Sequence, residues 1–357
     1  MSVERLFNLM KGQSDPILDL ICKHGGSESL VPMKRQVTRN GQTFEETYYV
    51  SPGEAQTEEN AAASPTAKPY DPASEPGPSK KHSKRMKIPP DMPLDSGALY
   101  SHLVSQGFVD KLDNLPSDTQ SVYKQANGQY TPERAQLHAQ IADHFLSQAK
   151  PVPPDKKPVA IMMMGGPGSG KSSATKGWDI SDFVPVDPDG IKAQLPEYQE
   201  AVKGRALNAA RMTHEESSDI AKNIRETALA QRKNVLLDGV GADYDKMAKR
   251  VEDLKAKGYH VRLVGVHLPI QEGKRRVAER ALNTGRWVPL DFAEDAYSKI
   301  PGNFDRLAQL THDAVAFDNN VPPGEEPRKL YSRKYGEEPT IHEPERYSGY
   351  LSGGQSV

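Results

Sequence analysis

The run Gly165-Gly166-Pro167-Gly168-Ser169-Gly170-Lys171-Ser172 follows directly on the apolar stretch Val159–Met164. A strand that turns through glycines and opens on lysine and serine is a phosphate cradle. The glycines let backbone N–H groups turn inward around an anion with no Cβ in the way. A helix starting after Gly170 presents the positive end of its dipole to the same charge. In this frame Lys171 bridges the β- and γ-phosphates of ATP or GTP. Ser172 is the Mg²⁺ ligand, and Ser173 stands beside it in the cradle.

The residues after 158 alternate between strand and helix patterns. Four further strands are expected at Phe183–Val186, Asn234–Leu237, Val261–Leu268 and Ala314–Phe317. Helices are expected from Ala209 to Arg232, Lys246–Lys257, Glu272–Leu282, Asp291–Lys299 and Asn303–Leu310. Alternation of this kind predicts an α/β fold, a doubly wound parallel sheet of the P-loop NTPase type.

The rest of the chain divides by composition. Residues 1–50 form a small segment in which Asn40-Gly41, between β-prone runs, predicts a hairpin. Residues 51–93 are rich in proline and read as a disordered linker. Its basic cluster, Lys80, Lys81, Lys84, Arg85 and Lys87, reads as a solvated charge run. Residues 94–150 are helical, with Thr131-Pro132-Glu133 as a helix start. Prolines 151, 153 and 154 mark the boundary of a kinase region at 151–331, and 332–357 reads as a loose polar tail.

A net charge of −2 gives no push toward nucleic acid or membrane, and neither is expected as a partner. Cys22 is the sole cysteine, so no intramolecular disulfide can form, which fits a reducing cytoplasm. Met1 to Gly12 carries Glu4 and no apolar run, so no secretory signal is expected.

Three carboxylates fall at predicted strand ends, where open α/β sheets bind ligands. Asp187 and Asp189 follow the second strand. Asp189 is the candidate that takes a proton from an acceptor hydroxyl, with Asp187 beside it on the substrate. Capping of the short helix near Gly190 explains the pair equally well. Asp238 closes an apolar strand and is the candidate second metal ligand. Lys274, Arg275, Arg276 and Arg280 lie on one predicted helix, with Arg286 just beyond it. Guanidinium groups there suit a lid over a triphosphate. For Lys274 and Arg275 a solvated face, with Glu272 and Glu279 as partners, is the better reading.

From about 158 to 318 the sequence resembles the zeta-toxin family of P-loop kinases. The resemblance runs through the glycine loop with Lys171 and Ser172, then Val-Asp187-Pro-Asp189-Gly-Ile-Lys192 and Asn-Val-Leu-Leu-Asp238-Gly. It continues through Glu279-Arg280, Thr-Gly-Arg286-Trp-Val-Pro and Lys-Ile-Pro301-Gly-Asn303-Phe. It implies phosphorylation of a nucleotide-sugar hydroxyl, typically on UDP-N-acetylglucosamine, with Asp189 as base and Arg280 and Arg286 as phosphate clamps. His214-Glu215-Glu216-Ser217 resembles the family's acidic helix start, making Glu215 or Glu216 a substrate contact. After Asp238-Gly239 the family carries threonine and a nearby arginine, whereas this chain reads Val240-Gly-Ala-Asp243. Asn127 to Arg134 resembles a segment of extended relatives in bacteriophage and actinobacterial sequences. The alternative is a nucleotide-binding interaction module in which residues 1–150 dock to a protein partner, such as a phage particle component. A polynucleotide kinase is a third reading, against which the lack of basic excess argues.

Overall fold

Short apolar strands between amphipathic helices assemble, in the computed structural model, into one sheet with helices on both faces. The structure describes residues 31–39, 42–50, 86–322 and 325–352. It divides into two compact units, residues 1–71 and 72–357.

In the first unit, β1 (Val31–Arg39) pairs antiparallel with β2 (Gln42–Val50), and Arg39 lies opposite Gln42. This is the hairpin expected from the two-residue Asn-Gly connection.

The second unit holds a seven-stranded sheet ordered β4-β5-β3-β6-β7-β8-β9. Its strands are β3 (Val159–Met164), β4 (Val184–Val186), β5 (Val235–Leu237), β6 (His260–His267), β7 (Asp313–Asp318), β8 (Arg328–Arg333) and β9 (Thr340–Ile341). The first five run parallel, as their continuous apolar character requires of strands covered on both faces. β8 and β9 add antiparallel at one edge. The chain passes from β3 outward to β4, back to β5, and then across β3 to β6. The carboxyl ends of β3, β4 and β5 therefore share one crevice at the point where the winding reverses.

The helices are α1 (Ser96–Ser105), α2 (Thr119–Tyr123), α3 (Pro132–Leu146), α4 (Lys171–Ala174), α5 (Pro188–Lys192), α6 (Pro196–Lys203), α7 (Ala209–Met212) and α8 (His214–Ala230). After β5 come α9 (Tyr244–Ala256), α10 (Ile270–Thr284), α11 (Leu290–Leu310) and α12 (Pro344–Leu351). The start of α3 is as expected: the Thr131 side chain accepts from Arg134 N at 3.4 Å, and Pro132 takes the first turn.

Several expectations change. The single helix expected at 209–232 is two, because Thr213 leaves helical geometry and its hydroxyl donates back to the Ala209 carbonyl at 3.0 Å. The two helices expected around Pro301 are one. An interior proline costs about 3 kcal/mol. Burial of Ile300 and Phe304, each contributing about 1.5–3 kcal/mol, outweighs it.

The tail expected to be loose is built into the core as far as residue 352. Tyr331, Tyr347 and Tyr350 are buried there, with Tyr350 against Phe304 and His267. Arg346 also pairs with Asp318 at 2.8 Å. Lastly, the linker expected over 51–93 ends before residue 86, and its residues 51–85, most of the basic cluster included, lie outside the described residues. Asn283 exchanges two hydrogen bonds with the Met86 backbone, at 2.7 and 3.0 Å. Ile88 is buried with Leu99, Leu103 and Phe108 against the apolar face of α10. α3 packs into the sheet core through Ile141 and Phe145, so the packing shows no boundary at 150. Among the described residues no helix is long and apolar enough to cross a membrane.

Candidate functional site

The cradle forms where β3 ends. Gly168 and Gly170 both take φ of +79°, which only glycine adopts without strain. Lys171 Nζ donates to the Gly165 carbonyl at 3.1 Å and lies 3.9 Å from Asp238 Oδ1. Its neighbours press closely on the loop. A Cβ at Gly166 would come within 2.5 Å of the Tyr297 ring, and one at Gly168 within 2.8 Å of the Gly273 carbonyl. Tyr297 donates to the Pro167 carbonyl at 2.9 Å. Asn319 donates to the Ser169 carbonyl at 2.7 Å, and Arg276 to the Asn319 carbonyl at 3.1 Å. The loop is thus held in shape from α10, α11 and the end of β7. The helix behind it, α4, is a single turn, so the expected dipole is small and the backbone N–H groups carry the anion-binding capacity.

A cleft of about 1910 Å³ opens in front of the cradle. Ser172, Asp187, Asp189, Asp238, Arg280 and Arg286 all line it. Tyr100, Asp110, Lys111 and Arg211 line it as well. Asp187 caps α5, accepting from Asp189 N at 2.9 Å and Gly190 N at 3.2 Å. The capping reading therefore holds for Asp187, while Asp189 is left facing the cleft from the first turn. Asp189 Oδ2 meets the Arg286 guanidinium, and its Oδ1 receives Lys192 Nζ at 3.1 Å. Burial raises the Asp238 carboxyl above the usual range, against the pull of Lys171 and aided by the charge of Asp187.

The Zeta toxin family profile matches residues 142–329, more than half of the 357-residue chain. The chain belongs to that family. It is 25% identical to Toxin zeta of Enterococcus hirae over half of this chain and 64% of the toxin. It is 24% identical to the calmodulin calcium-dependent NAD kinase of Arabidopsis thaliana over 57% of this chain and 48% of the relative. The chain thus spans about half to two thirds of the length of these relatives. The fold is shared with the crystal structures of AvrRxo1-ORF1:AvrRxo1-ORF2 with sulphate ions and with ATP, at TM-scores of 0.52 and 0.51. Those matches carry 18% and 17% identity and cover 69% of this chain, and 82% and 81% of theirs.

In this zeta toxin family member one expected contact is excluded. Glu216 is fully buried beneath the cleft. Arg134 Nη2 donates to it at 2.8 Å, and His138 Nε2 lies 2.7 Å away. Arg134 also grips Glu197 with two bonds of 2.9 Å. Burial would raise the Glu216 carboxyl, but the hydrogen bonds from Arg134 and His138 win and hold it at about 2. A carboxylate so enclosed has no face left for substrate, which leaves Glu215, on the cleft wall, as the remaining acidic candidate. Lys274, expected on a solvated face, is buried and pairs with Glu294 at 3.0 Å. Arg275 pairs with Glu272 and Glu279 as its helical spacing predicts. The helix expected as a mobile lid instead buries Val277, Ala278 and Ala281 against α1.

Sequence reading missed Asn319 and the cleft wall built by residues 100–118, and it quoted His214 only as part of the acidic helix start. Lys192 stood within a quoted motif, but nothing local indicated that its ammonium would reach Asp189.

Proposed function

We propose that this chain is an ATP- or GTP-dependent kinase that phosphorylates a hydroxyl of a pyrophosphate-bearing nucleotide conjugate. The observation that carries this reading is the position of Asp189, which faces the same cleft as the cradle and Lys171. A nucleoside triphosphate fills only part of that cleft, and the remainder suits an acceptor of similar size.

The acceptor oxygen attacks the γ-phosphorus while the bond to the bridging β,γ-oxygen breaks, leaving a nucleoside diphosphate. Asp189 takes the hydroxyl proton. Lys171 and the loop N–H groups hold the β- and γ-phosphates, and Arg280 and Arg286 stabilise the charge that spreads over the transferring group. For that, Arg286 must pass from Asp189 Oδ2 to the phosphate.

Mg²⁺ fits this donor set. The Ser172 hydroxyl and Asp238 carboxylate are hard oxygens at one mouth, and Mg²⁺ commonly takes one or two protein oxygens together with phosphate oxygens. Among the described residues no group of three or more His, Cys, Asp or Glu could hold a metal alone, which agrees with a cation arriving with its nucleotide. When bound it neutralises charge on the triphosphate.

Two acceptors share the required chemistry. UDP-N-acetylglucosamine is the one the family resemblance implies. NAD is the second, favoured by the similarity to the Arabidopsis NAD kinase and by the altered segment Val240–Asp243. Protein incubated with ATP, Mg²⁺ and each acceptor should give a phosphorylated conjugate by mass spectrometry, abolished by EDTA. Transfer to neither, with transfer to a plain sugar or a polynucleotide end, would refute the acceptor class and keep the kinase.

A further inference from the structure

Lys192 is the last residue of α5 and one of few buried cations, at 6% exposure. Its Nζ lies 3.1 Å from Asp189 Oδ1 and 3.4 Å from His214 Nδ1. An ammonium only donates, so His214 Nδ1 accepts and the ring is held neutral. Burial lowers the pKa of both side chains, with the charge of Lys192 acting further on His214. Placing an ammonium here costs several kcal/mol of hydration, which a methionine of similar length would not incur. Asp189 offsets this incompletely, since its own side chain is 37% exposed. Stability alone gives no reason for a lysine at this point.

The two oxygens of Asp189 have different partners. Oδ1 faces Lys192, which is fixed in the floor of the cleft. Oδ2 faces Arg286, which stands on the connection after α10. Once Arg286 turns to a phosphate, Oδ2 is open to an acceptor hydroxyl while Oδ1 remains tethered.

We propose that Lys192 is a positioning residue that anchors Asp189 through Oδ1 and so aims Oδ2 at the acceptor hydroxyl, with His214 fixing the direction of the ammonium. This rests on the reading of Asp189 as proton acceptor. The test compares Lys192→Met and Lys192→Arg in the full chain. Lys192→Met should lower kcat about 100-fold with the KM for ATP within about twofold of wild type, because aim and not nucleotide binding is lost. Lys192→Arg, which restores a donor to Oδ1, should regain about tenfold of that loss. Unchanged kcat in Lys192→Met, or equal loss of kcat and of ATP affinity in both variants, would overturn the proposal. A crystal structure of Lys192→Met gives a second readout that needs no activity. Asp189 turned away from its wild-type rotamer supports the anchor, and Asp189 unmoved refutes it. If wild-type protein transfers phosphate to nothing, the kinase reading fails, and the Asp189 rotamer still decides on Lys192.

Discussion

Two clusters of charge meet at the first turn of α8, each built from carboxylates, basic side chains and one histidine, and they differ in what they leave open. Arg134, Glu197, Glu216 and His138 form a closed set in which each carboxylate is met by a donor and Glu216 is fully buried. Asp187, Asp189, Lys192, His214 and Arg286 form an open set at the cleft, where Asp189 retains an exposed edge. Satisfaction separates them. A closed set fixes the extension, through α3, to the α/β body. The open set keeps lone pairs and donors directed at the cleft, as the proposed reaction needs.

That contrast can be broken in several ways. Asp189→Asn removes the proposed proton acceptor while leaving shape unchanged. It should lower phosphotransfer by about 10²–10⁴-fold with an unaltered melting temperature. A fall in stability instead would move Asp189 into the structural set. Arg134→Ala does the reverse. It strands two buried carboxylates and should cost about 3–5 kcal/mol in urea unfolding. Retained stability would mean that the closed set is not what joins α3 to the body. Lys171→Ala should cost about 10²–10³-fold in turnover, read by steady-state kinetics, with folding intact.

The acid limit offers a gentler probe. Glu216 is depressed from 4.5 to about 2, so its contribution is fully present above 4.5 and is lost as pH falls through about 2. The gap in melting temperature between wild type and Glu216→Gln should therefore narrow across that window. A constant gap would show that the pairing is not electrostatic. Smallest of all, Arg275→Ala should change stability by under about 1 kcal/mol in the same urea assay, because its glutamate partners are on the surface of α10. A larger loss would place Arg275 in the structural set beside Arg134.

The parallel strands and the cradle were legible because their signals are local. A buried parallel strand must be apolar throughout, and an anion loop must be glycine, so Val159 to Ser172 can be read in one pass. Glu215 and Glu216 were not separable, because neighbours on a helix differ in face only once the helix has a partner. That partner, Arg134, lies about eighty residues upstream. The end of the chain misled for a similar reason. Tyr331, Tyr347 and Tyr350 lie among polar residues, and only the packing of α12 on β8 and α11 shows that their rings complete the core.

The sequence by itself determined the α/β class, the hairpin, the phosphate cradle and the carboxylates that follow β4 and β5, since these depend on periodicity and on what a backbone allows. Tertiary structure alone decided which acid is available and which is sealed. It also brought residues 100–118 to the cleft wall and set a buried lysine beside Asp189. Those outcomes depend on burial and on partners distant along the chain. Desolvation, which makes one carboxylate a fastening and leaves another open to the cleft, acts only in the folded state.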